Sequence, residues 1–195
     1  MNKRFRIALC VLTVVCALPA AAHPGPEAAA GAAAGFAAGV GAGFGAGFGA
    51  GFAHPFGGID HLLAMLGVGL WSRQQGRAML LPAFVLMMAC GAAVQLGAGV
   101  PLEAGLAASV LVAGMLVAAA ARVAAPLALA TVAGFALLHG QAHGRELLGA
   151  ASAAGFLAAS TLLLVCAYAA GGLRGTRVGG AAIAAGGAVL LAAMA

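Results

Sequence analysis

Charged residues are scarce. Only 7% of the 195 residues are Asp, Glu, Lys or Arg, against about 25% in an average soluble domain. A soluble fold of this length needs a charged surface, and this chain cannot supply one. With 64% of its residues hydrophobic and a mean hydropathy of +1.11, it can be solvated only by lipid. Lysine is almost missing: Lys3 stands alone, which excludes a Walker A phosphate loop. No polar stretch is long enough to form a nucleotide-hydrolysing domain. The nine basic residues are too few and too dispersed to make a nucleic-acid-binding face. The four cysteines form no CxxC pair and no metal-finger spacing. Cys10 and Cys16 fall near the N-terminus, and Cys90 and Cys166 lie singly in apolar runs as small hydrophobes.

The charges that are present mark topology. Lys3, Arg4 and Arg6 precede an apolar stretch over 7–18, Pro19 breaks it, and Ala20, Ala21 and Ala22 follow. This is the pattern of a cleavable signal peptide over residues 1–22; an uncleaved first helix is the alternative. Either way, residue 23 starts on the outer face. Cleavage would leave His23 at the mature N-terminus, where its amine and imidazole could chelate a metal together.

Apolar runs over 78–96, 104–121, 126–138, 150–170 and 178–195 approach the length of about 20 residues that crosses a bilayer. Alternating the breaks between two sides puts Arg73, Arg77, Arg122, Arg174 and Arg177 together, and Glu103, Arg145 and Glu146 opposite. The arginine side is cytoplasmic by the positive-inside rule, so residues 24–72 must cross an odd number of times. Within them Phe36, Val40, Phe44, Phe48, Phe52 and Phe56 recur every four residues, with glycines between. This is either a packing ridge beside a small-residue ridge or a low-complexity expansion. One crossing from about residue 45 to Trp71 fits best, preceded by a Gly/Ala-rich arm over 23–44. The expected fold is therefore all-α: a polytopic membrane bundle over 45–195 with about six spans, in the inner membrane of a bacterium, mature N-terminus periplasmic. Trp71, beside Arg73, is expected at the membrane interface.

The remaining ionisable groups fall in two clusters. The first is His54-Pro55-Phe56-Gly57-Gly58-Ile59-Asp60-His61. Its histidines are two helical turns apart and face alike. Pro55 and Gly57-Gly58 weaken the helix between them, inviting a kink with freed carbonyls as further oxygen donors, and Asp60 adds a carboxylate. The second cluster is His139, His143 and Glu146, which lie on one helical stripe; Gly140 and Gly144 leave room beside each imidazole for an ion or another helix. Ionisable groups are costly in a bilayer and are retained where they face a cavity, a partner or an ion. Neutral imidazole with carboxylate suits Ni²⁺, Co²⁺, Zn²⁺ or Cu²⁺ rather than Mg²⁺ or Ca²⁺. Met65 could add a thioether, though packing accounts for it. The first cluster is expected to carry the ion, and the second, near the outer face, to serve either as an entry site or as a support around the first.

The run GFxHPFxGxDHLLAMxxVGxW over 51–71, FALLHGQAHGRE over 135–146, and a signal peptide ending before His23-Pro24-Gly25 together resemble the HupE/UreJ family of nickel/cobalt permeases. The resemblance covers nearly the whole mature chain. It implies uptake of Ni²⁺ or Co²⁺ without ATP hydrolysis, no enzymatic activity, no prosthetic group, and delivery towards metalloenzyme maturation. It assigns ligand roles to His54, Asp60, His61, His139, His143 and Glu146, and matches His23. Gln141 stands where relatives often have a third histidine. Two other readings stay open: a membrane b-type cytochrome with histidine-ligated haem, and an accessory membrane subunit that transports nothing. Carboxylates beside the histidines, and the single turn between His139 and His143, argue against haem.

Overall fold

The computed structural model describes residues 40–94, 102–144, 146–147 and 149–194. The signal peptide, His23, most of the Gly/Ala arm and Arg145 lie outside them. Among the described residues the chain is all-helical, with seven α-helices and no strand: α1 (Val40–Ala53), α2 (Ile59–Gln75), α3 (Leu80–Ala93), α4 (Leu102–Ala118), α5 (Ala125–His143), α6 (Ala150–Ala170) and α7 (Thr176–Ala192). A 3-10 turn, His54–Phe56, joins α1 to α2. Helices α5 and α6, with 19 and 21 residues, are long and apolar enough to cross a membrane.

The weakened segment breaks the first element but does not reverse it. Pro55 sits in the first turn of the 3-10 segment, Gly57 N–H bonds the His54 carbonyl at 3.0 Å, and Gly58 is extended before α2 resumes. Both halves run alongside α6 in the same direction. Gly47 and Gly51 of α1 lie on Ala151 and Ser152, whereas Gly69 of α2 lies on Ala167 and Arg73 on Gly171. The expected single element from about residue 45 to Trp71 is thus two helices in tandem, longer at both ends. The His54 carbonyl, expected as a freed oxygen donor, already accepts the Gly57 amide.

Helix α2 is the axis of the bundle. Leu62, Ala64, Met65, Val68 and Trp71 are buried between α4 and α6. Trp71 is 1% exposed and donates its indole N–H to the Ala121 carbonyl at 2.8 Å. It therefore anchors helix to helix, and is not the interfacial residue that its arginine neighbour suggested. Gln75 donates to the same carbonyl at 2.8 Å, and Gln74 to the Val117 carbonyl at 3.1 Å. Together these side chains tie α2 to carbonyls at the end of α4 and just beyond it. Gly76, at φ 68°, closes α2 in the left-handed conformation that glycine tolerates best.

Glycine contacts set the spacing of the helices. A Cβ on Gly114 would strike the Ala184 backbone, one on Gly140 the Met88 carbonyl, and one on Gly155 the Phe48 carbonyl. The pairs α4–α7, α3–α5 and α1–α6 thus approach backbone to backbone, the arrangement by which small residues hold apolar helices together. The room predicted beside Gly140 is filled by α3.

Polarity is inverted relative to a soluble protein. Leu86, Val178 and Val189 on the outside are 64%, 74% and 69% exposed, while His61, Ser160 and His139 inside are each 0% exposed. Charge is also separated along the axis. Arg73, Arg77 and Arg122 lie where α2 ends and α5 begins, with Arg174 in the nearby α6–α7 connection and Arg177 in the first turn of α7. The three described carboxylates lie at the opposite end.

The close approaches predict opposite effects for the same substitution. Gly114→Ala forces apart two backbones and should destabilise by about 1–3 kcal/mol. Gly134, with nothing within 4 Å of its Cβ position, should gain up to about 1 kcal/mol on replacement by Ala through helix propensity. Thermal unfolding in detergent checks this; equal melting temperatures for the two variants would contradict it.

Candidate metal centre

The two sequence clusters meet. The break after α1 turns His54 towards the C-terminal end of α5, where His143 is the last helical residue. Beyond His143 the chain leaves the helix. The amides of Glu146 and Leu147 bond back to the His143 carbonyl at 3.0 and 3.1 Å. That turn folds the Glu146 carboxylate over the imidazole. Glu146 is therefore not part of a continuous helical stripe, although it reaches His143 as the stripe implied.

Three donor atoms converge there. His54 Nε2 and His143 Nδ1 lie 2.9 Å apart, and Glu146 Oε2 is 3.0 Å from the first and 2.9 Å from the second. Both imidazoles can donate an N–H to the same carboxylate oxygen. These hydrogen bonds, from His143 first and then from His54, hold the Glu146 carboxyl below the usual carboxylate range.

A second group lies deeper. His61, His139 and His143 each place one donor atom within 4.8 Å of the others, and all three residues are buried. The buried nitrogens without a hydrogen-bond partner among the described residues are His61 Nδ1, His139 Nδ1 and His143 Nε2. Their opposite nitrogens face other groups: His61 Nε2 is 3.1 Å from Ser160 Oγ, and His139 Nε2 is 3.0 Å from Ser109 Oγ. Phe156 closes the group from α6, its ring centroid 5.9, 5.0 and 5.1 Å from those of His54, His61 and His143.

The assignment of donors thus differs from the cluster order in the sequence. His54 and His61 do not share a group, and each joins residues of the second cluster. Asp60 enters neither. It sits in the first turn of α2, as Glu103 does in α4, where the helix dipole favours negative charge. Both carboxylates line a cavity of about 550 Å³ together with His143 and Glu146. Three of the four acidic residues of the chain therefore face one space. Ser109, Ser160 and Phe156 were not anticipated. Serine and phenylalanine are ordinary in apolar helices, and nothing in their local sequence marks them.

The depressed Glu146 carboxyl has a consequence for stability. Its contribution is fully present above the unfolded-state value of about 4.3 and is lost as the pH falls towards the lower folded value. The melting-temperature gap between the natural protein and Glu146→Gln, measured in detergent, should be present above about pH 5 and shrink below about pH 4. A gap unchanged down to about pH 2 would contradict the assignment.

Comparison with known proteins agrees with the motifs. The family described as HupE / UreJ protein matches residues 11–195. Protein HupE of Rhizobium leguminosarum bv. viciae is 42% identical over 154 residues, covering 71% of this chain and 81% of the relative. No solved structure matches the chain. With the family pattern running over almost the whole sequence and both motifs meeting at one centre, the chain belongs to the HupE/UreJ family.

Proposed function

We propose that the protein carries Ni²⁺ or Co²⁺ across the bacterial inner membrane without hydrolysing ATP. The observation that carries this reading is the meeting of His54, His143 and Glu146, contributed by motifs 89 and 92 residues apart. The broken pair α1–α2 would form one span and α3 to α7 five more, with the arginine end in the cytoplasm and the acidic cavity facing the periplasm. A signal peptide over 1–22 would place the mature N-terminus, with His23, on that same side. A divalent ion would enter a cavity lined by Asp60, Glu103 and Glu146, pass to His54 and His143, and then reach His61 and His139. A potential negative inside favours that direction. Delivery towards hydrogenase or urease maturation is what membership in the family suggests.

The outer donor set supports the choice of metal. Two imidazoles and a carboxylate are a borderline-soft set, suited to Ni²⁺ or Co²⁺ and poor for Mg²⁺ and Ca²⁺. The ring packing weighs against haem, since His61 lies 5.4 Å from His139 and 4.8 Å from His143 between centroids, which leaves no slot for a porphyrin.

The test is reconstitution in liposomes holding a nickel-sensitive dye, with a potential negative inside. The natural protein should admit Ni²⁺. His54→Ala, His61→Ala and His143→Ala should each reduce the rate about tenfold or more, the scale on which lost metal-site interactions act. Equal rates in all variants would remove the assigned path. Absence of uptake by the folded natural protein would favour the accessory-subunit reading.

A further inference from the structure

His143 belongs to both donor groups, and its two ring nitrogens have different surroundings. Nδ1 lies 2.9 Å from Glu146 Oε2. Nε2 is buried and has no hydrogen-bond partner among the described residues. The deeper group is arranged to match. Ser109 Oγ donates to the Leu106 carbonyl at 2.7 Å, so it accepts from His139 Nε2 at 3.0 Å. The proton of His139 is thereby fixed on Nε2, and Nδ1 keeps a bare lone pair. Ser160 Oγ lies 3.1 Å from His61 Nε2, and His61 Nδ1 has no hydrogen-bond partner among the described residues. With its proton on Nε2, donated to that hydroxyl, His61 too keeps a lone pair on Nδ1. With the His143 proton on Nδ1 and directed at Glu146, His143 Nε2 supplies the third lone pair.

The geometry points to two ion positions in series that share His143 and exclude one another. This rests on the transport reading above and adds a rule to it: one ion per chain, either outer (His54, His143 Nδ1, Glu146) or inner (His61, His139, His143 Nε2). A neutral imidazole has one proton and one lone pair available to a metal. An ion on Nδ1 requires the proton on Nε2, and an ion on Nε2 requires it on Nδ1. On passage inward, the metal–Nδ1 bond breaks and a metal–Nε2 bond forms. Nε2 gives up its proton and Nδ1 gains one, by exchange with water in the cavity that His143 and Glu146 line. The Nδ1–H so formed is received by the Glu146 carboxylate that the ion has left. His143 then acts as a swing point at which a second ion cannot bind until the first has moved on.

The experiment is equilibrium dialysis of radioactive Ni²⁺ against the purified full chain in detergent. The protein is prepared without a polyhistidine tag and in a His23→Ala background, so that the N-terminal histidine adds no ion. Binding should saturate at one ion per chain. His54→Ala/Glu146→Gln, which removes the outer position, and His139→Ala, which weakens the inner one, should each still bind one ion. His143→Ala, which takes a donor from both positions, should bind at least about tenfold more weakly than either. Saturation at two ions per chain would overturn exclusion while leaving transport by these residues intact. An affinity for His143→Ala equal to that of His139→Ala would overturn the sharing. Absence of binding by the folded natural background would overturn this inference and the transport reading together.

Discussion

The structure depends on one meeting of side chains. His54, at a break between two helices, and His143, at the end of a third, converge on a single carboxylate oxygen of Glu146. Ionisable groups among apolar helices are tolerated only where something satisfies them. In a chain with four acidic residues, that constraint is severe. The break at Pro55–Gly58 has a purpose in this light. A continuous helix would carry His54 and His61 on one face at equal depth from the packing partner. The interruption instead lets His54 serve the outer group and His61 the inner one.

Close helix packing holds that meeting in place. Gly140 sits between His139 and His143 and receives the α3 backbone, so the two imidazoles are presented from a helix that cannot shift without breaking that contact. Gly155 receives α1 next to Phe156, and Phe156 covers His54, His61 and His143. At the far end, Trp71, Gln74 and Gln75 tie α2 to the end of α4. The centre is thus built at one end of a rigid bundle, below a cavity whose carboxylates attract cations and away from the arginines at the other end.

Much of this was legible in the sequence, and the rest was hidden for physical reasons. The sixth helix matches the apolar run over 150–170, because a long run bounded by glycines has clear ends. The weakened segment after Ala53 was evident from Pro55 and two glycines. The histidines and Glu146 that converge stood out by the rarity of ionisable groups. Their grouping did not, because sequence spacing orders residues along one helix and says nothing about which helices meet. Asp60 looked like a ligand beside His61, yet it points to the cavity from the first turn of α2. Trp71 looked interfacial beside Arg73, but it is buried in the bundle and the Ala121 carbonyl claims its N–H. The serines that meet the histidines could not be distinguished from packing serines without the partner helix.

The central claim is that histidines from both motifs bind the same ion. Nickel-edge X-ray absorption of the loaded protein tests it most directly. The spectrum should show nitrogen and oxygen donors only, with the scattering signature of two or more imidazoles, and that signature should weaken in His143→Ala, which takes a donor from both groups. A sulfur ligand from Cys90, Cys166 or Met65, or an imidazole signature unchanged by His143→Ala, would contradict the account.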